Sequence, residues 1–374
     1  MQDWVRWRLD RIEELYSPER VAAGRRRWTD IWSGRFPEDR LPFVELSHCV
    51  QYYDDLNAPA ENDQRLSGLL DECILHGLLK DDFIPALFPG CRQSTIPNMF
   101  GIEEIVVDHD FTCARLPVTP EAIDALPEPA IRPGSVARQW LDRQAEWLEK
   151  TEGRLPINVV DMQGPMDAAA QVFGYDGLFL LAYTDRERFD RIMGLFSDAF
   201  VMFWGAQKEL LGDLFVPTHL FGFNWVPPNT CATLSADCLV MLSPDFFAEF
   251  LKPSLDRIST AFGGVAVHSC GDFSHLVRSL HQLHDLRGIN ASQLSLEQLQ
   301  AAGLRTDVVA IFLSDFDTAL REFDLIRETG QLAQVTVQSA PVEIAVKPGR
   351  DWSAADFACV AARHDRLLEK LELC

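Results

Sequence analysis

Apolar residues recur along this chain with two alternating spacings, a helical one of about 3.6 residues and short stretches in which apolar and β-branched residues follow one another. The helical spacing fills 1–35, 65–79, 120–126, 136–151, 168–173 and 187–211, where Gly212 supplies a stop. It resumes at Ser243-Pro244-Asp245, a serine placed to cap a helix with proline at the first helical position, and runs to about 262. It returns over 274–283, 296–302 and 354–371. Strand-like segments lie between these at 41–46, 155–162, 218–225, up to His268, and at 288–291, 308–313 and 334–338. The stretch 81–93 contains Pro85 and Pro89, which exclude a long helix, and its end delivers Arg92 and Gln93 to a loop. Strand and helix alternating with glycine or proline at the joints predict an α/β protein, a parallel (β/α)8 TIM barrel rather than an open doubly wound sheet. The predicted division is an N-terminal helical arm over 1–40 and a barrel domain over 41–374. Tryptophans at 4, 7, 28 and 32 could pack that arm onto the body or onto a second subunit, which makes a homodimer conceivable.

Composition narrows the class. With 47% hydrophobic residues, 24% charged and no low-complexity tract, the chain reads as globular. No apolar run is long enough to span a bilayer, and the first residues carry Asp3, Arg6, Arg8 and Asp10 rather than a leader's apolar core, so a cytoplasmic protein without membrane contact is expected. The nine cysteines are odd in number and scattered, which suits a reducing compartment. A formal charge of −22 argues against a nucleic-acid partner, and Arg25-Arg26-Arg27 reads as a solvated helix face. A small-molecule substrate is expected, and an anionic one would need its own local arginines. Gly263-Gly264 precedes a strand, whereas a dinucleotide-binding loop follows one.

The chemistry concentrates at Val265-Ala266-Val267-His268-Ser269-Cys270-Gly271-Asp272. Side chains alternate across a strand, so His268 and Cys270 point to one side, and Gly271 lets the backbone turn away. Imidazole and thiolate are preferred zinc ligands, and a site with open positions can act on an incoming molecule. The alternative is a buried cysteine beside a hydrogen-bonded histidine. Asp161, Asp237 and Asp272, at strand ends or in the loops beyond, are candidate acids, each also explicable as a turn or cap carboxylate. Arg92, Gln93, Gln163 and His48 are candidates for substrate binding.

Asp161-Met162-Gln163-Gly164-Pro165 before a helix, Ser235-Ala236-Asp237 with Leu242-Ser243-Pro244-Asp245-Phe246-Phe247, and Ala261-Phe262-Gly263-Gly264 leading to His268-Ser269-Cys270-Gly271 resemble the uroporphyrinogen decarboxylase superfamily. The His-x-Cys-Gly element is similar to that of its zinc-dependent methyltransferases, which move methyl groups between a corrinoid and a thiol. The resemblance covers most of the chain beyond residue 65. It implies a (β/α)8 barrel with its site at the C-terminal mouth, zinc on His268 and Cys270, and a corrinoid brought by a partner protein. The chain departs from the pattern where those enzymes take a further cysteine from a later strand end, since Gly288–Gln293 and Ile311–Asp315 contain none. Cys238, Asp315 and Glu343 are the substitutes at hand. The arginine-rich N-terminal segment of the decarboxylases is also missing, with Leu41-Pro42-Phe43-Val44-Glu45 and Ser47-His48-Cys49 in its place. Two further readings stand beside methyl transfer: a decarboxylase-like lyase acting on a small or tetrapyrrole carboxylate, and a non-catalytic barrel that binds a corrinoid or similar ligand.

Overall fold

The computed structural model describes residues 2–45, 59–79, 81–107, 110–218, 224–338, 365–369 and 371. Among them run ten strands: β1 (Phe43–Glu45), β2 (Glu104–Val107), β3 (Asp110–Cys113), β4 (Ile157–Asn158), β5 (Phe215–Val216), β6 (Ala232–Ser235), β7 (Val265–Ser269), β8 (Leu286–Ala291), β9 (Val309–Asp315) and β10 (Ala333–Gln338). Six of them form one parallel sheet in the order β1-β10-β9-β8-β7-β6. β4 and β5 pair in parallel by themselves, and β2 and β3 form an antiparallel hairpin.

Isolated parallel bridges extend the sheet beyond its two edges. Leu87 pairs with Ile157, Cys91 with Asp161 and Gln163 with Ser235, while the Asp82 N–H donates to the Phe43 carbonyl at 3.0 Å. The run therefore passes from β1 through 82–91 and β4 back towards β6, an arrangement like a TIM barrel. No continuous ladder closes it among the described residues, which is where the structure departs from the expected (β/α)8 barrel. Pro85, Pro89 and Pro156 lie in the segments concerned and have no N–H to give, so pairing survives there only as single bridges.

Several predicted elements shift. The strand expected at 155–162 is regular only at Ile157–Asn158; of the strand expected at 218–225, 219–223 lie outside the described residues, and β5 lies just before it. β6 was not predicted as a strand; Ala232-Thr233-Leu234-Ser235 is short and buried throughout, and shows no alternation. Of the expected C-terminal helix, 365–369 and 371 are helical, and 354–364 lie outside the described residues.

The N-terminal region is two helices, Asp3–Leu15 and Pro18–Trp32, the second capped by the Ser17 hydroxyl. The first buries Val5, Leu9 and Ile12, and Arg8 forms a buried ion pair with Asp71 at 2.8 Å. Trp28 and Trp32 are buried, their indole N–H groups donating to the carbonyls of Asp82 and Trp225, each at 2.9 Å, while Trp7 stays exposed. Asp82 binds Arg27 at 2.6 Å and Arg40 at 2.5 Å, and accepts the Phe43 N–H at 3.1 Å. Val44 on β1, Val216 on β5 and Ile84 in the segment 82–91 close on Trp28 and Trp225 in a cluster of their own. The arm is thus packed into the body. No described helix is long and apolar enough to cross a membrane.

Candidate functional site

The parallel register sets Ser235, His268 and Asn290 side by side on β6, β7 and β8. Asn290 is wholly buried, and its Oδ1 faces Nδ1 of His268 in a short hydrogen bond. With an amide oxygen on that side, Nδ1 carries the ring hydrogen and the Nε2 lone pair faces the other way. There Nε2 lies 3.4 Å from the Cys270 Sγ and 3.8 Å from Oδ1 of Asp237. Asp237 opens the short turn Asp237–Met241 directly after β6, and its Oδ1 also accepts the Cys270 N–H at 2.8 Å. Just beyond Cys270, Gly271 turns the chain at φ +81°, and a Cβ there would meet Cγ1 of Val240 at 2.8 Å. Only glycine takes that turn without strain.

One donor atom from each of Asp237, His268 and Cys270 lies within 4.8 Å of the others. Around tetrahedral zinc, Zn–N of about 2.0 Å and Zn–S of about 2.3 Å imply an N···S edge of about 3.5 Å, and the His268–Cys270 separation is close to it. The donor set of nitrogen, sulfur and carboxylate oxygen is one zinc accepts, and the asparagine behind the histidine is the kind of support such ligands take. Electrostatics agree. Burial pushes the Cys270 thiol up, and the negative charges of Asp237 and Asp161 push it further. Two carboxylates that discourage a bare thiolate also favour a cation beside it.

Beneath this group lies an acid that sequence reasoning missed. Asp167, in the first turn of the helix Pro165–Phe173, is buried, and its Oδ1 accepts the Tyr175 hydroxyl at 2.7 Å and the Cys238 N–H at 2.9 Å. Burial, with the charge of Asp237 adding to it against these hydrogen bonds, raises its carboxyl to about 6. A lone carboxylate in the otherwise apolar run Pro165-Met166-Asp167-Ala168-Ala169-Ala170 is the signal that could have found it.

The donors open into a cavity of about 150 Å³ lined by Cys91, Arg92, Gln93, Asp161, Gln163, Ser235, Asp237, His268 and Cys270. Seven of the residues predicted from sequence meet there. Asp272 does not: it is exposed, its Oδ1 accepts the Ser274 N–H at 2.9 Å, and that bond holds its carboxyl below the usual range, as in a cap. His48 and Glu343 lie outside the described residues. Cys238 is sealed away, its thiol raised by burial and by Asp167, and Asp315 caps the helix Phe316–Thr329 through the N–H groups of Asp317 and Thr318, so neither completes the donor set. Arg92 differs from expectation in a second way. Its guanidinium binds Glu104 at 2.7 Å and stacks on Phe111, 3.6 Å from the ring centre, so the hairpin β2–β3 holds its charge. Gln163 accepts a hydrogen bond from the side chain of Gln171. Cys91, Ser235, Asn290 and Glu104 were not foreseen, because bridges between distant segments bring them here.

No family model and no curated protein matches the chain. Among solved structures it is similar to a methyltransferase from Methanosarcina mazei, with a TM-score of 0.62 and 14% sequence identity over 92% of this chain and 99% of that one. At that identity the likeness is one of fold, shared over almost the full length of both chains.

Proposed function

We propose that the chain is a methyltransferase that activates a thiol at a zinc centre built from Asp237, His268 and Cys270. The observation that carries this reading is the convergence of three donors of the right kind on a cavity at the ends of parallel strands. Bound there, zinc would supply the charge that makes a coordinated thiol a thiolate at neutral pH. The chain's own residues do the rest. Asn290 turns the Nε2 of His268 inward, and the backbone N–H of Cys270 fixes Asp237, which moves in this reading from acid to ligand. Asp161 remains the acid nearest the cavity for a methyl group leaving oxygen or nitrogen, where the leaving atom must take a proton. A methyl group leaving cobalt needs no such acid.

The fold of the Methanosarcina mazei methyltransferase, the closed (β/α)8 barrel of the resemblance and a corrinoid delivered by a partner protein are consistent with this proposal. A cavity of about 150 Å³ is smaller than pockets that enclose whole cofactors, so a corrinoid would present its methyl group at the mouth. The lyase reading has less behind it, since among the described residues the guanidinium that lines the cavity, Arg92, is engaged by Glu104. Metal analysis tests the proposal: the purified chain should retain about one zinc, and Cys270→Ser and His268→Ala should lose it with an unchanged circular dichroism spectrum. Full zinc occupancy in Cys270→Ser, or a wild-type chain that binds none, would sink it.

A further inference from the structure

We propose that Asp167 is a positioning residue of this centre: from the helix Pro165–Phe173 it anchors the turn that carries Asp237 and so aims that carboxylate at the metal position; the inference rests on the zinc–thiol reading above. Of the three donors, Asp237 is the one that strand geometry fixes least. His268 lies on β7 and Cys270 one residue past its end, whereas Asp237 opens the turn Asp237–Met241 and its side chain is partly exposed. Two hydrogen bonds hold its backbone, one on each side. The Ala236 N–H donates to the His268 carbonyl at 2.7 Å, which ties the turn to the strand that carries the histidine. The Cys238 N–H donates to Oδ1 of Asp167 at 2.9 Å.

The second bond replaces a local one. N–H groups that open such a turn have no partner within it and are ordinarily met by the side chain just before, but that residue is Ala236, which has no acceptor to offer. The acceptor comes instead from Asp167, 71 residues before Cys238. The Tyr175 hydroxyl donates to the same Oδ1 at 2.7 Å and fixes the carboxylate in its buried place. Its Oδ2 has no hydrogen-bond partner among the described residues, and the charge of Asp237 acts on it. Burying one carboxylate near another costs free energy, and a serine or asparagine could cap the turn without that cost. A cation held by Asp237, His268 and Cys270 would offset both charges, which suits a metal centre better than a plain turn. Asp167 is not among the residues that line the cavity, so its influence passes through Asp237.

The test is a double-mutant cycle on the full chain, reading zinc affinity by chelator competition and the ligand-field spectrum of the cobalt-loaded protein. Asp167→Ala should weaken zinc about 10- to 100-fold and change the cobalt spectrum, because the turn no longer presents its carboxylate. Asp167→Asn, which keeps an oxygen for the Cys238 N–H, should recover most of that loss. In an Asp237→Ala background, Asp167→Ala should cost less than about threefold, since no carboxylate is left to aim. A residue that merely supported the fold would weaken zinc by the same factor in both backgrounds. Should Asp167→Ala fail to fold, Tyr175→Phe removes the hydroxyl that fixes Asp167, and it should weaken zinc in the wild-type background and not in Asp237→Ala. A chain that holds no zinc overturns the zinc–thiol reading and this inference with it. Full zinc affinity in Asp237→Ala overturns this inference while leaving zinc on His268 and Cys270. Equal losses in the two backgrounds, or no loss in Asp167→Ala, overturn this inference alone.

Discussion

His268 presents Nε2 to the cavity because Asn290, beside it on β8, holds the other ring nitrogen. Such support is worth about 10- to 100-fold in metal affinity. Asn290→Leu should therefore weaken zinc by about that factor in chelator competition, and Asn290→Asp should hold it at least as well; equal affinity in all three proteins would remove the role given to Asn290. Asp167 supports a prediction in pH. Its folded-state carboxyl titrates near 6, above the value of about 4 expected in the unfolded chain. Between those values the folded state holds a proton that the unfolded state has lost, so stability falls as pH rises through the window, by about 2 to 3 kcal/mol in all. In the metal-free protein, Asp167→Asn should erase that fall. Thermal unfolding at pH 4.5 and 7.5 checks it, and parallel behaviour of the two proteins would contradict it. His268 and Cys270 were legible in sequence because the alternation of β7, carried one residue past its end, suffices to put them on one side. Asn290 and Asp167 were not, because their partners lie across a register or behind a turn that the linear pattern does not specify.

Among elements, the segment 82–91 ties the N-terminal helices to the sheet. It begins at Asp82, which is buried and meets Arg27, Arg40 and the Phe43 N–H, and it ends at Cys91 and Arg92 in the cavity. Removing one partner of a buried ion pair leaves uncompensated charge, at a cost of about 3 to 5 kcal/mol. Asp82→Ala should lose about that much in urea unfolding, and a loss below about 1 kcal/mol would show that the helices dock without it. The prolines of this segment excluded a long helix, but the same residues hid its strand-like course by removing the N–H groups of a regular ladder. β6 escaped notice for another reason, since a short strand buried throughout carries no alternation. The helix caps at Ser17, Ser243 and Ser295 are local, made by a hydroxyl and a backbone N–H a few residues away, and Ser243-Pro244 was readable for that reason.

For the molecule as a whole, a ligand that binds only the folded state stabilises it by mass action. Zinc at about 100 times its Kd should add about 2.7 kcal/mol and raise the Tm by a few degrees, and Cys270→Ala should abolish the rise. A rise of the same size in Cys270→Ala would place the stabilising zinc elsewhere. By itself the sequence determined the alternation of strand and helix, the facing of His268 and Cys270, and most of the polar residues at the cavity, because local periodicity and strand geometry act over a few residues. Tertiary structure alone decided that Asp237 joins them, that Glu104 engages Arg92, that Asp272 caps a turn instead, and that Trp28 and Trp32 bury themselves in the body. Each of these depends on which distant segments pair and in what register, and hydrogen bonding and burial settle that only when the whole chain is packed.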